Sequence, residues 1–206
     1  TYSLNPQVHQ FDNQSLVETL KAQSYTVESA RQFAEGLPLQ ISPITLKMRF
    51  NPNTTAPETE TTEGELPPQV DSRQMSLFAA SWTIGSIKYL AESKVESVTY
   101  FETLGRRGMM NGEHTSSFTE NFSVAKDMVY PVFWVFYNLL RNKSIQLIRT
   151  QCSHLYQVDG LAWEVDGQQY MFLTNFQPNA VKVKVTNWFD SFEKKALDEH
   201  SFETLA

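Results

Sequence analysis

Cysteine is nearly absent from this chain of 206 residues: Cys152 is the only one. A single thiol cannot close an internal disulfide or hold a metal by itself. That suits a reducing compartment, although a bacterial periplasmic protein could also manage with one. Cys152 stands in a strand-like stretch without a nearby base, so a packing role is expected rather than a nucleophilic one. Positive charge is also short, with 17 Lys and Arg against 23 Asp and Glu. The net charge of −6 and a pI near 5.2 argue against nucleic acid or an anionic membrane surface as the main partner. No apolar run reaches the roughly 18 residues that span a bilayer; the longest, Met128 to Leu140, is interrupted by Pro131. The opening residues are polar and have no charged start before an apolar run, so they do not read as a signal peptide. They already look like a strand and do not begin with Met, so upstream sequence is expected to have been removed. There is no phosphate-binding glycine loop, no zinc HExxH and no GxSxG elbow. Nucleotide-dependent chemistry, zinc proteolysis and the usual serine hydrolysis are therefore disfavoured, and no metal or cofactor is expected.

What is present is ordinary globular composition, 41% hydrophobic and 19% charged, in a chain long enough for one large domain or two small ones. Over the first two-thirds, strand and helix patterns alternate. A short β-like run from Leu4 to Phe11 precedes a helix from Leu16 to about Glu35, capped by Asn13 or Ser15 and ended by Gly36 and Pro38. Leu16, Leu20, Gln23, Val27, Ala30 and Ala34 line one face of that helix. A second strand runs from Leu39 to Phe50, with Ile41, Ile44, Leu46 and Met48 as its apolar positions. The stretch from Asn51 to Val70 is rich in Pro, Thr and Glu and shows no period, as expected of a lid or an excursion. Asp71 or Ser72 is expected to cap a second helix reaching Ser93. Ser97 to Phe101 reads as a third strand, and a third helix is expected from near Pro131 to Leu140. This order implies parallel strands joined by right-handed crossovers. Three strands are few for such a sheet, so the rest is either missing or supplied by another chain.

From Ser144 the apolar period changes to two. Leu161 to Val165 and Gln169 to Leu173 flank Asp166-Gly167, a two-residue hairpin sequence, and Ala180 to Val185 alternates cleanly. The expected division is residues 1–142 as barrel units and 143–206 as a small antiparallel β domain.

In (β/α) barrels the active site gathers at the carboxyl ends of the strands. Gln7, His9 and Asp12 follow the first strand, Lys47, Arg49, Asn51 and Asn53 the second, and Glu102, Arg106 and Arg107 the third. A carboxylate, an imidazole, guanidinium groups and amides around one pocket suit a polyhydroxylated or anionic substrate. Asp12 could orient the His9 ring for base catalysis. Each residue also has a plainer reading. Glu102 could merely tie down its loop through Arg106 or Arg107, Asn51-Pro-Asn53 could be only a turn, and Asp71 reads as a helix cap. His114, His154 and His200 are scattered and carry no assigned role.

The stretches Asn5-Pro-Gln-Val-His-Gln-Phe-Asp12, Ser42-Pro-Ile-Thr-Leu-Lys-Met-Arg-Phe-Asn-Pro-Asn53, Leu66-Pro-Pro-Gln-Val-Asp-Ser-Arg-Gln-Met-Ser-Leu-Phe78 and Val98-Thr-Tyr-Phe-Glu-Thr-Leu-Gly105 resemble the bacterial D-apionate lactonases. Those proteins are similar to glycoside hydrolases, with a (β/α) barrel and accessory β domains, and act in carbohydrate catabolism. The resemblance covers most of residues 4 to 140 and weakens through the β region. It implies an α/β fold: the C-terminal portion of a (β/α)8 TIM-type barrel, about three βα units, followed by the small antiparallel domain. It also implies a bacterial cytoplasmic setting, with the periplasm left open.

The leading functional expectation is hydrolysis of a sugar-acid lactone. In it, His9 with Asp12 acts as the base, Glu102 holds hydroxyls or transfers protons, and Gln7, Arg49, Asn51, Asn53 and Arg106 bind substrate. A glycosidase is the alternative, weakened because the second strand ends in Arg49 and amides where many barrel glycosidases place a carboxylate. A third possibility is a non-catalytic carbohydrate-binding or assembly module that stacks sugars on Trp163, Tyr170 and Trp188. The expected partners are a sugar or sugar acid and the missing N-terminal part of the same enzyme. The fragment alone is expected to be inactive and to self-associate through its open sheet edge.

Overall fold

The structure is a computed structural model. It describes residues 2–6, 8, 10–48, 65–112, 125, 127–186, 191–193 and 202–205; for 2–3, 191–193 and 202–205 the backbone alone is described.

Three strands form a parallel sheet in the order β1 (Tyr2–Leu4), β2 (Gln40–Ile44), β3 (Ser97–Val98). The register sets Tyr2 beside Ile41, and Ile41 in turn beside Val98. Strands β2 and β3 are shorter than their apolar patterns, and β1 lies upstream of its expected Leu4 to Phe11 run, sharing only Leu4 with it. The flanking residues still contribute ladder bonds: the Ile44 N–H donates to the Thr99 carbonyl at 2.8 Å and the Thr45 N–H to that of Leu4 at 3.1 Å.

Helix α1 (Asn13–Phe33) connects β1 to β2. It ends where Glu35 and Gly36 adopt positive φ, 47° and 86°, just before Pro38. Helix α2 (Leu77–Glu92) connects β2 to β3 and begins later than its periodicity predicts. Ser72–Met75 form a separate 3-10 turn, and Ser76, not Asp71, caps the α-helix, its hydroxyl accepting from the Ala79 N–H. The break arises because both positions are good caps: Asp71 accepts from the Arg73 N–H at 2.9 Å and sets up one tight turn, after which Ser76 restarts the chain.

The two helices pack closely. The Trp82 indole donates to the Leu16 carbonyl at 3.1 Å, and Ser86 donates to Gln23 at 2.7 Å. A Cβ at Gly85 would lie 2.7 Å from a Leu20 methyl, so this helix contact needs the missing side chain. Arg31 then ties the far end of α1 to the Ser93 and Lys94 carbonyls that follow α2.

After β3 come two short strands, β4 (Glu102–Leu104) and β5 (Gly108–Met110), paired in parallel across three residues. A crossover is far longer, so this is a coiled loop and not a further barrel unit. Helix α3 (Pro131–Leu140) starts with proline at its first turn, where the missing N–H costs nothing. It lies against α2.

The last region is antiparallel, in the order β11 (Phe202–Leu205), β8 (Gln168–Asn175), β7 (Val158–Val165), β6 (Gln146–Ile148). Strands β9 (Lys184–Thr186) and β10 (Ser191–Glu193) form a separate pair. The β7–β8 turn is Asp166-Gly167 with φ of 50° and 81°, the doubly left-handed turn whose twist matches a hairpin.

Two cores result. One joins Leu16, Leu20 and Val27 of α1 to Ile41 and Ile44 of β2 and to Trp82 and Leu90 of α2. The other joins Ala80 and Ile84 of α2 and Val132 and Val135 of α3 to Leu161, Trp163 and Phe172 of the antiparallel sheet. Helix α2 contributes to both.

Candidate functional site

The carboxyl ends of the three parallel strands carry the polar residues, so the site is built from there. Beyond β1, Asp12 caps α1. Its carboxylate accepts the Ser15 hydroxyl at 2.7 Å and the Ser15 N–H at 3.0 Å. These bonds hold the exposed Asp12 carboxyl below the usual carboxylate range. Gln7 and His9 lie outside the described residues, as do Arg49, Asn51 and Asn53 beyond β2.

The next residue, Asn13, reaches across to the 3-10 turn, where its carbonyl accepts from Arg73 at 3.0 Å. Arg73 grips Asp71 with its Nε at 2.8 Å and a terminal nitrogen at 2.7 Å, and its guanidinium lies 5.7 Å from the Phe78 ring centre. Asp71 is buried, with 4% of its surface exposed. Burial would raise its pKa, but the bonds from Arg73 and the charges of Arg73 and Lys47 outweigh this and hold the carboxyl low. Lys47, three residues beyond β2, sets its ammonium 5.9 Å from the Phe11 ring centre.

One residue after Arg73, the buried Gln74 donates to the Gly108 carbonyl at 2.9 Å. The 3-10 turn therefore braces two neighbours, the start of α1 through Arg73 and the loop after β3 through Gln74. In that loop Gly105 takes φ 93°, and Gly108 leaves no room for a Cβ beside the Thr103 and Leu104 backbone. The fold of the loop brings Arg107 back to Glu102 at 2.9 Å. The two side chains are 40% and 35% exposed, so the pair fixes geometry more than it adds stability. Arg106 lies on the same loop, close enough for its charge to oppose the burial that pushes the Tyr130 hydroxyl up to about 12.

Of the sequence-predicted residues, Glu102 and Arg106 thus share one braced loop, and Asp12 stands at the head of α1. Arg73 and Gln74 went unread as site residues because they fall within a helical reading, and Asn13 because it reads as a helix cap, a place that Asp12 takes. The available clue was a cluster of hydrogen-bonding side chains, Asp71-Ser-Arg-Gln, at the expected helix start. Away from the rim, the Cys152 thiol donates to the Val158 carbonyl at 3.1 Å, and burial pushes its pKa up, as suits a packed thiol. Trp163 is 1% exposed and packs on Tyr170 and Phe172, so it cannot offer the sugar-stacking face considered for it; Trp188 lies outside the described residues. Among the described residues, no cluster of three or more His, Cys, Asp or Glu could hold a metal, and no helix is long and apolar enough to cross a membrane.

The D-apionate lactonase of Brucella anthropi is 23% identical over 206 residues, covering 100% of this chain but 31% of its own length. A conserved exported protein from Bacteroides fragilis superposes with a TM-score of 0.53 at 9% identity, over 98% of this chain and 45% of its own, which is a likeness of fold. Residues 1–144 match the family described as the D-apionate lactonase TIM barrel domain. The chain belongs to that family.

Proposed function

We propose that this chain is the carboxyl-terminal part of a hydrolase acting on a sugar-derived lactone. The observation that carries the reading is the family match over residues 1–144, which takes in the ends of β1 to β5. In the reaction a water oxygen bonds to the lactone carbonyl carbon and the ring C–O bond breaks. The ring oxygen takes up a proton, leaving a hydroxy acid carboxylate and one released proton. His9 is proposed as the base that draws the proton from water, with Asp12 as its orienting partner. Because Asp12 already caps α1 through Ser15, that partnership has to coexist with the cap. Glu102 is proposed to hold sugar hydroxyls or pass the proton to the leaving oxygen. Gln7, Arg49, Asn51, Asn53 and Arg106 are proposed to bind the substrate.

The same reading treats β1 to β3 as the last units of an eight-stranded barrel, residues 1–142 as the barrel part and 143–206 as an accessory β domain. The remaining units and further catalytic groups would come from upstream sequence. The test is proton release from a panel of aldonolactones, using the longest available gene product. Turnover that falls at least ~10²-fold in both His9→Ala and Glu102→Gln supports the assignment, since acid–base groups contribute on that scale. Unchanged rates in both variants remove these residues from the mechanism, and absence of turnover removes the lactonase reading.

A further inference from the structure

We propose that Lys47 receives the carbonyl end of the substrate, the end that bears negative charge as the lactone opens and a carboxylate afterwards. The inference rests on the lactonase reading for the reaction, but the anion-binding property stands on geometry.

Lys47 is placed at the rim by β2, and its neighbours leave its charge unspent. Asp71 is close enough to feel that charge, yet both carboxylate oxygens of Asp71 are taken by Arg73. One accepts from the Arg73 N–H at 2.9 Å and Nε at 2.8 Å, the other from a terminal nitrogen at 2.7 Å. Arg73 is likewise committed, to Asp71, Asn13 and the Phe78 face. Asp71 and Arg73 thus satisfy each other. Among the described residues, the ammonium of the half-buried Lys47 makes neither a hydrogen bond nor an ion pair, and it lies 5.9 Å from the Phe11 ring centre. A cation held just beyond a strand end, with its three donors unused by the described residues, in a protein of net charge −6, is a place prepared for an anionic oxygen.

The surroundings match a sugar acid. Phe11, whose ring lies beside the ammonium, and Met48, the next residue in the chain, are 40% and 63% exposed and offer apolar surface to meet the carbon face of a small polyol chain. An ammonium is a compact point charge, suited to one oxygen that changes from carbonyl to oxyanion to carboxylate without demanding a bidentate geometry. The interaction strengthens as charge develops, as a group that favours ring opening requires.

The test compares binding of D-gluconate, an aldonate anion, with D-glucitol, its uncharged counterpart, by titration calorimetry at low and high salt. The expected result is that the wild-type chain prefers gluconate at low salt. Lys47→Met should lose that preference by at least ~10-fold, while Lys47→Arg should keep most of it. Far-ultraviolet circular dichroism and the unfolding midpoint establish that the variants are folded. Should Lys47→Met unfold, acetylation of the folded wild-type chain takes its place: with Lys47 shown by mass spectrometry to be modified, the gluconate preference should again be lost. Equal gluconate binding by Lys47→Met and wild type overturns the proposal, as does a wild type that does not separate gluconate from glucitol. In the longest available gene product, lactone turnover that survives Lys47→Met with unchanged kcat/KM sinks the inference and leaves the lactonase reading standing. Gluconate binding through Lys47 without any lactone turnover does the reverse.

Discussion

The Lys88 ammonium lies 2.5 Å from the Asp159 carboxylate, with 3% and 1% of the two side chains exposed, so an ion pair is buried where α2 meets β7. The same carboxylate oxygen accepts the Gly160 N–H at 2.8 Å, and Tyr89, whose ionisation is opposed by burial and by Asp159, stands beside it. Removing one partner strands a charge in the interior. Lys88→Met should cost about 3–5 kcal/mol, and a double variant with Asp159→Leu should recover most of the loss, because an apolar pair of similar volume replaces a buried ion pair at little cost. Urea unfolding midpoints of the three variants test this; a double variant as weak as the single one would mean that packing, not charge, holds the junction.

That pair was invisible in the sequence. Lys88 looks like a solvated position on a helix, and its partner is 71 residues away in a strand that the hairpin pattern identified without hinting at a charge partner. Local chemistry, in contrast, was readable. The α1 stripe, the Asp166-Gly167 turn and Pro131 at the start of α3 each depend on neighbours within a few residues. The strands were over-extended because apolar alternation continues past the paired residues, as Leu46 shows by being buried beyond the end of β2. At the rim, strand-end placement pointed to Glu102 and Lys47, but the Arg73 and Gln74 bridges depend on where the chain breaks between the 3-10 turn and α2.

Acid should weaken the protein partly through Asp71. Its folded carboxyl is held below the ordinary value of 3.8, so the pair with Arg73 stabilises the fold above that value and loses its contribution as pH falls through the folded value. Asp12 acts with the same sign through its cap. Thermal unfolding midpoints of the wild type should therefore drop below pH ~4, and Asp71→Asn should start lower at pH 7 yet fall less steeply. Parallel pH curves for the two proteins would rule Asp71 out as a source of the acid sensitivity.

Gly108→Ala should destabilise by about 1–3 kcal/mol, because the new methyl would sit 2.7 Å from the Leu104 carbonyl carbon and 2.9 Å from the Thr103 oxygen, and backbone cannot rotate away as a side chain can. Gly167→Ala serves as the comparison. It meets nothing within 4 Å and carries only the cost of φ 81°, about 1 kcal/mol. Calorimetric melting of both variants should rank Gly108 as the costlier site; the opposite order would show that the β4–β5 loop yields.

Self-association is expected of the 206-residue chain alone. Tyr25 and Phe33, 56% and 85% exposed, border a shallow apolar groove along α1 with Ala22 and Ala30, and Trp134 on α3 is 49% exposed. Sedimentation at increasing concentration should show species heavier than a monomer, and Phe33→Glu with Trp134→Glu should reduce them. A monodisperse monomer at every concentration would contradict the expectation.

Helix α2 has eleven of its sixteen residues buried, shared between the two cores, whereas α1 turns one side outward. Mutational tolerance should follow that contrast. In a saturation library selected for folded protein, positions such as Ala80, Trp82 and Ile84 should accept almost nothing, while Lys21, Glu28 and Gln32 on α1 should vary freely. Any effort to redesign the rim can therefore recruit changes from α1 but has to leave α2 alone.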